Sequence, residues 1–257
     1  MAENEEVVEI EQLKITNKDA IVEELYDKQN SKITNFWKSN LDEYKKLDIF
    51  KNNDTYKIFT KTYNPEFRKQ LEATCHADGI SLKTVIYGAF AYALNLVTYD
   101  DDFILGMLSN NRPVLEDGDK LLGCFLNTIP VRNKFENTVS LSLSEYFVKV
   151  DENLTDIKKN ERLTLYEISN LMGEKSANGS PFFDVMFNYI NFHIYNELEL
   201  HTDTSYKEAQ KDDLDKESFV MTNTAFDFTA SVLGDSLSMT YKLKKEFKNE
   251  VTIAKVH

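Results

Sequence analysis

The segment that most restricts this chain is "LKTVIYGAFAYALNLVTY", Leu82 to Tyr99. Its periodicity is helical, yet apolar residues occupy nearly every face, so the helix has to be covered on most sides. It is too short and too rich in tyrosine to span a membrane. A buried helix of this kind needs a sheet to lie against, and Ser81 is placed to cap its first turn.

The rest of the sequence supplies that sheet and its cover. "YKIFTKTY", Tyr56 to Tyr63, alternates aromatic and β-branched residues with lysines and reads as a half-exposed strand. Asn64 as cap, Pro65 at the first helical position, Phe67, Leu71 and Cys75 at four-residue spacing, and Gly79 as terminator define a second helix. "ITNFWKSNLDEY" places Phe36, Trp37, Leu41 and Tyr44 near helical spacing. Leu143, Phe147, Val150, Leu154 and Ile157 mark another helix, and Thr164 with Glu167 matches a capping box before a short helix that Gly173 closes. "DDFILGMLS" has the short apolar run of a buried strand, and "NNRPVLEDGDK" after it has loop chemistry. "PFFDVMFNYINF" sets Phe183, Val185, Phe187 and Tyr189 on one face of a strand and Asp184, Met186 and Asn188 on the other. "FDFTASVLGDSLSMTYKL" reads as two strands joined by a type II′ turn at Gly234 and Asp235. Strands alternating with helices and closing on a hairpin predict an α/β (α+β) fold, a mixed sheet covered by helices.

Two segments stand apart from this pattern. Residues 1–33 begin with Glu3, Glu5, Glu6, Glu9 and Glu11 and hold few large apolar side chains, which predicts a segment or linker outside the core. "NELELHTDTSYKEAQKDDLDKES" is acidic and unpatterned and reads as an exposed excursion.

Charge and spacing remove several function classes. With 43 acidic and 30 basic residues the net charge is -13, the wrong sign for a polyphosphate, so no nucleic acid is expected as a partner. The sequence shows no secretory leader and no membrane span, which predicts a cytoplasmic protein without a membrane partner. The histidines, His76, His193, His201 and His257, fall at no ligand spacing, so no metal site is expected, and no glycine-rich phosphate loop is present. Cys75 and Cys124 each sit in an apolar pattern and read as reduced core residues.

A histidine beside Asp-Gly in "CHADGIS" invites a catalytic reading, but His76 falls in the last turn of a capped helix and Asp78-Gly79 is a helix stop. Cys75 and His76 point to different helix faces and form no nucleophile and base pair by themselves. The aromatics of "PFFDVMFNYINF" fit a core better than a ligand platform, and Lys242, Lys244, Lys245 and Lys248 read as the solvated end of the last hairpin. "LLGCFLNTIPVR", Leu121 to Arg132, is harder to dismiss, because Asn127 and Thr128 interrupt an apolar run. Either they tie down a strand end with Pro130 beginning a turn, or they present hydrogen-bonding groups to a ligand.

Several stretches, in order, resemble the condensation domains of nonribosomal peptide synthetases. "NFWKSNL" is similar to that family's aromatic-Trp-x-x-x-Leu segment, and Ile80 to Pro113 to its long helix, strand and Gly-to-Arg stretch, here Gly106 to Arg112. The G-x-F-x-N-T-x-P-x-R motif is matched at Gly123, Phe125, Asn127, Thr128, Pro130 and Arg132. "LTLYEISNL" is a looser counterpart of a segment usually ending in Pro-Phe-Glu, with Leu165 and Tyr166 in place of Pro and Phe. "GSPFFDVMFNYIN" resembles the P-L-F-x-V-M-F-x-x-x-N motif, and the last two strands resemble the family's closing hairpin.

The resemblance implies one chloramphenicol-acetyltransferase-like lobe over residues 34–257, the C-terminal lobe of a two-lobed domain with a tunnel between the lobes. Phosphopantetheine arms of peptidyl or acyl carrier proteins enter that tunnel, so the cofactor comes with the partner and none is bound by the chain. Amide formation there uses an H-H-x-x-x-D-G motif on the other lobe, and this sequence contains no such motif. No catalytic residue is therefore assigned, the chain alone is expected to be inactive, and a missing N-terminal lobe is its implied partner, with self-association through the uncovered face. Asn127 and Thr128 would border the tunnel, Gly123 and Phe125 would pack, and Arg132 and Arg112 would pair with carboxylates or loop carbonyls. Two other readings stand beside this one: a non-catalytic scaffold for a carrier protein or subunit, and a stand-alone acyltransferase using Cys75 or His76.

Overall fold

The computed structural model describes residues 13–135, 140–174, 180–191 and 223–248. The acidic opening, the 196–218 excursion and the final residues lie outside the described residues, as do His193, His201 and His257.

Two helices, α1 (Asn17–Gln29) and α2 (Ser31–Asn40), precede the strand β1 (Phe50–Tyr63). The helices α3 (Pro65–Ala77) and α4 (Leu82–Thr98) follow, then β2 (Asp102–Asn110), a short 3₁₀ turn (Gly118–Lys120) and β3 (Leu126–Lys134). Helices α5 (Leu143–Asn160) and α6 (Leu165–Leu171) lead to β4 (Val185–Asn191), and β5 (Phe226–Leu233) and β6 (Ser236–Phe247) close the fold. The six strands lie in the order β1-β6-β5-β4-β2-β3. The β4 strand runs parallel to both β2 and β5, and the outer pairs are antiparallel, so the sheet is mixed.

The helix ends follow local chemistry. Asn64 Oδ1 accepts from Phe67 N, Ser81 Oγ from Thr84 N, and both Ser142 with Glu145 and Thr164 with Glu167 form capping boxes. Between β5 and β6 Gly234 has φ +52° while Asp235 does not turn positive, as a two-residue II′ turn requires.

The core forms where α4 lies on one sheet face. Phe90 packs among Phe187, Phe226, Phe228 and Tyr241, and Tyr87 meets Phe187 edge-on at 5.1 Å. Tyr87 Oη donates to Asn133 Oδ1 at 3.0 Å, and burial pushes its phenol far above the usual range. No single described helix is long and apolar enough to cross a membrane, and α4 buries seven of its residues inside the fold.

Two sequence readings need correction. Phe183 does not share a strand face with Phe187, because the strand begins only at Val185. Its ring instead covers Gly106, where an added Cβ would lie 2.3 Å from Phe183 Cε2; Gly106 pairs with Met186, whose side is opposite to that of Phe187. Cys75 is buried, but Cys124 is exposed on the loop before β3, so only one thiol belongs to the core. The apolar run around Cys124 is not strand interior: Leu122 is 88% and Leu126 68% exposed.

Candidate functional site

The Leu121–Arg132 motif folds as a loop and an edge strand. Among the described residues β3 pairs only with β2, leaving its other edge without a strand partner there. Along that edge Thr128 N donates to Asn127 Oδ1 at 2.9 Å, and Arg132 O accepts from Asn153 Nδ2 at 3.1 Å. By strand alternation Pro130 has the same phase, so the N–H that proline lacks falls where no strand would accept it. Pro130 therefore sits within an edge strand, opposite Gly106, and begins no turn.

Arg112 organises the loop. Its guanidinium lies 4.7 Å from the Phe125 ring centroid and donates to the carbonyls of Gly118, at 3.2 Å, and Leu121. Gly123 rests against the same Phe125 ring. Arg132 is almost fully buried, and its fork meets Asp102 at 2.7 and 2.6 Å while Nη1 donates to the carbonyls of Asn40 and Asp42. That contact holds the Asp102 carboxyl below the usual carboxylate range.

Asn127 uses its whole amide inside the protein. Nδ2 donates to Glu161 O at 3.0 Å and to Leu163 O at 2.9 Å, while Oδ1 takes the Thr128 N–H. The carbonyls at the end of α5 have no intrahelical donors. Asn127 joins Asn111 Nδ2 on Glu161 O, and Trp37 Nε1 serves Asn160 O at 2.9 Å. Thr128 faces the other way, and its hydroxyl makes no hydrogen bond to the described residues.

A groove of about 350 Å³ opens beside this strand, bordered by Ile21 and Glu23 of α1, by Leu122 and Cys124 of the loop, by Leu126 and Asn127 of β3, and by Arg162. No residue of α1 is buried, and the helix is held by ion pairs: Arg162 with Glu23 at 2.6 Å and Asp27 at 3.4 Å, and Lys28 with Glu167 at 2.5 Å. Arg162 and Asn111 carry no motif signal; Asn111 reads as an ordinary loop residue, and its partners lie 50 residues away.

The other candidates do not assemble. Cys75 is buried, and burial pushes its thiol up, away from a thiolate, while His76 is exposed at the end of α3. Lys244 lies within β6 and pairs with Asp227 at 2.9 Å, and Lys248 pairs with Asp48, so this lysine run is not a free solvated tip. Among the described residues, no group of three or more His, Cys, Asp or Glu side chains is arranged to hold a metal.

Comparison with known proteins places this geometry. A sequence model described as "Condensation domain" matches residues 5–255. Bacitracin synthase 1 of Bacillus licheniformis is 27% identical over 150 residues, which is 56% of this chain and 3% of that protein. Gramicidin S synthase 2 of Brevibacillus brevis is 27% identical over 158 residues, 57% of this chain and 3% of its own length. The condensation domain of the Monacolin K polyketide synthase MokA superposes with a TM-score of 0.70 at 15% identity, covering 93% of this chain and 58% of that one. The epimerization domain from the third module of tyrocidine synthetase B gives 0.68 at 16%, covering 98% and 58%. The chain thus spans a few per cent of the synthetases it matches and little over half of these solved chains. The match over residues 5–255, with the mixed six-stranded sheet, shows that the chain belongs to the condensation-domain family of nonribosomal peptide synthetases.

Proposed function

We propose that residues 34–257 are the C-terminal lobe of a condensation domain, forming one wall of the tunnel in which an amide is made between two carrier-bound thioesters, and that residues 1–33 lead into it. The observation that carries this reading is one of size and surface. The superposition on the MokA condensation domain takes in 93% of this chain but 58% of that one, and apolar side chains stand uncovered around the groove: Ile21 at 55%, Leu122 at 88% and Leu126 at 68% exposure. Apolar surface left in water beside a groove fits a lobe that meets a partner.

In this reading the phosphopantetheine arm arrives on a carrier protein, and the chain binds no cofactor of its own. Asn127 is a positioning residue, since its amide is already engaged by the α5 terminus, and it fixes the strand that carries Thr128. The Thr128 hydroxyl remains available to hydrogen-bond an amide of the arm. Arg112 and Arg132 hold the loop and the strand in place. The sequence contains no H-H-x-x-x-D-G, so the histidine that would assist the attacking amine belongs to the other lobe.

The test is an amide-formation assay with donor and acceptor aminoacyl carrier proteins. The chain alone gives no product, and adding an N-terminal condensation lobe that carries the histidine motif restores product. Turnover by the chain alone, abolished by His76→Ala, refutes the lobe reading and supports the stand-alone acyltransferase.

A further inference from the structure

Helix α1 is turned inside out. Its half-buried side includes Glu23, Glu24, Asp27 and Lys28, which join it to the rest of the fold through Arg162 and Glu167. Its apolar side chains point away from the fold: Ile21 is 55%, Val22 55%, Leu25 50% and Tyr26 73% exposed. A helix of this length is marginal in water unless an apolar face packs against something. Because α1 buries no residue, that support is missing until a surface is set against its outer stripe.

The stripe is self-complementary. Lys18, Val22, Leu25 and Gln29 follow one another by four, three and four residues along one face, with Ile21 and Tyr26 as its flanks. These positions are symmetric about the point midway between Glu23 and Glu24, so a second α1 running antiparallel presents the same pattern at the same heights. Val22 then meets Leu25 and Tyr26 of the second copy, Ile21 meets Leu25 of the second copy, and Lys18 at one end faces the neutral Gln29. A parallel pair would instead set Lys18 against Lys18. Every apolar side chain thus finds an apolar one and no like charges are opposed, as a two-fold interface between identical surfaces requires.

From this pattern we infer that α1 is a dimerisation face that takes a second copy of this chain, α1 against α1, antiparallel about a two-fold axis. The apolar stripe offers on the order of 500 Å² a side, short of the ~800 Å² per partner of a stable interface, so the dimer is weak. Ile21 also borders the groove, which sets the second copy beside its mouth. Thr128 and the missing histidine motif take no part, so self-association and the lobe reading fail in different assays.

The test is sedimentation equilibrium of the whole chain at about 0.15 M salt, where the net charge of -13 is screened. Between about 10 μM and 1 mM the chain follows a monomer–dimer equilibrium with a Kd above ~10 μM. Val22→Gln/Leu25→Gln keeps good helix formers and removes four apolar side chains from each interface, raising Kd about tenfold or more. Circular dichroism melts matching the parent show that this variant keeps its fold. In a Cys124→Ser background, with Cys75 buried, oxidation links Val22→Cys chains to Leu25→Cys chains in preference to like with like. A monomer throughout the range, a dimer indifferent to the double variant, or self-linked Val22→Cys in excess of the mixed product each overturns the inference. So does a chain that stays monomeric yet binds an N-terminal condensation lobe through Val22 and Leu25, which assigns the stripe to that lobe.

Discussion

Replacing Asn127 separates a scaffold role from a ligand-binding one. The wild-type amide donates to Glu161 O and Leu163 O and accepts from Thr128 N. Asn127→Ala removes all three contacts; Glu161 O keeps Asn111 as a donor, while Leu163 O, on a residue only 3% exposed, loses this one. Counting only the bond to Leu163 O, at a net ~1 kcal/mol, since Glu161 O keeps a donor and Thr128 N lies on the free edge, and a further 1–3 kcal/mol for the stranded buried carbonyl, the loss is about 2–4 kcal/mol. That is a large part of the 5–15 kcal/mol typical of a domain. In urea, with a slope near 3 kcal/mol/M, the midpoint falls by roughly 1 M at unchanged slope. Asn127→Asp keeps the acceptor for Thr128 N but sets a carboxylate against two carbonyls about 3 Å away, so its protonated form is favoured in the folded state. Its folded pKa then lies above the unfolded value, the milder defect is present at low pH, and the deficit grows as pH rises through the folded pKa. Thr128→Val, at a hydroxyl without a partner among the described residues, moves stability by less than about 0.5 kcal/mol. A wild-type midpoint for Asn127→Ala, or a Thr128→Val loss as large as that of Asn127→Ala, refutes the reasoning.

Four further outcomes are open to measurement. Gly106→Ala drives a methyl group to 2.3 Å from the Phe183 ring, costs about 1–3 kcal/mol in thermal unfolding, and regains part of this with Phe183→Leu; a neutral Gly106→Ala sinks the argument. Because Arg132 lowers the Asp102 pKa, that pair stabilises the fold above the unfolded carboxylate pKa and the contribution disappears as pH falls through the lower folded value. Asp102→Asn therefore flattens the acid limb of a stability profile taken from pH 6 to 2, and an unchanged limb contradicts it. Helix α1, held by surface ion pairs and burying no residue, gains hydrogen exchange in 0.5 M salt relative to α4, and equal responses would discard the clamp. Leu122→Ser with Leu126→Ser lowers any self-association seen by light scattering, and unaltered association shifts the contact elsewhere.

Local chemistry was readable from the sequence wherever a single segment decides it. The caps at Asn64, Ser81 and Thr164, the burial of α4 and the turn at Gly234 each depend on residues within a few positions of one another. What escaped depends on distance. Nothing local distinguishes the exposed run around Cys124 from a buried strand, because composition is the same and only its placement, on the loop and at the first residue of an edge strand, leaves Leu122 and Leu126 in water. Phe183 obeys the alternation of the strand it precedes, yet that alternation holds only where the backbone is extended and paired, and pairing starts two residues later. Arg162 and Asn111 reach partners far along the chain, which no spacing rule encodes. The family motif helped most here, since it marked as one unit residues whose reasons for being together are tertiary.

Those reasons follow from the period of the strand. Pairing with β2 puts Asn127 on the side of Ser109, with Ile129, Val131 and Asn133 following on that side, while Thr128, Pro130 and Arg132 share the side of Leu108, Gly106 and Ile104. On the first side Asn127 fastens the strand to the end of α5 and Asn133 receives the Tyr87 hydroxyl of α4. On the second, Arg132 fastens it to the loop after α2 through Asp102 and the carbonyls of Asn40 and Asp42. A strand with only one hydrogen-bonded neighbour is thereby fixed from three directions. Such fixing matters at any sheet edge, because an unsecured edge strand frays or pairs with another chain. The amide in the apolar run and the proline two residues beyond Thr128 then answer the same requirement: one fastens the edge to the helix layer, and the other removes a donor that the free edge could not satisfy.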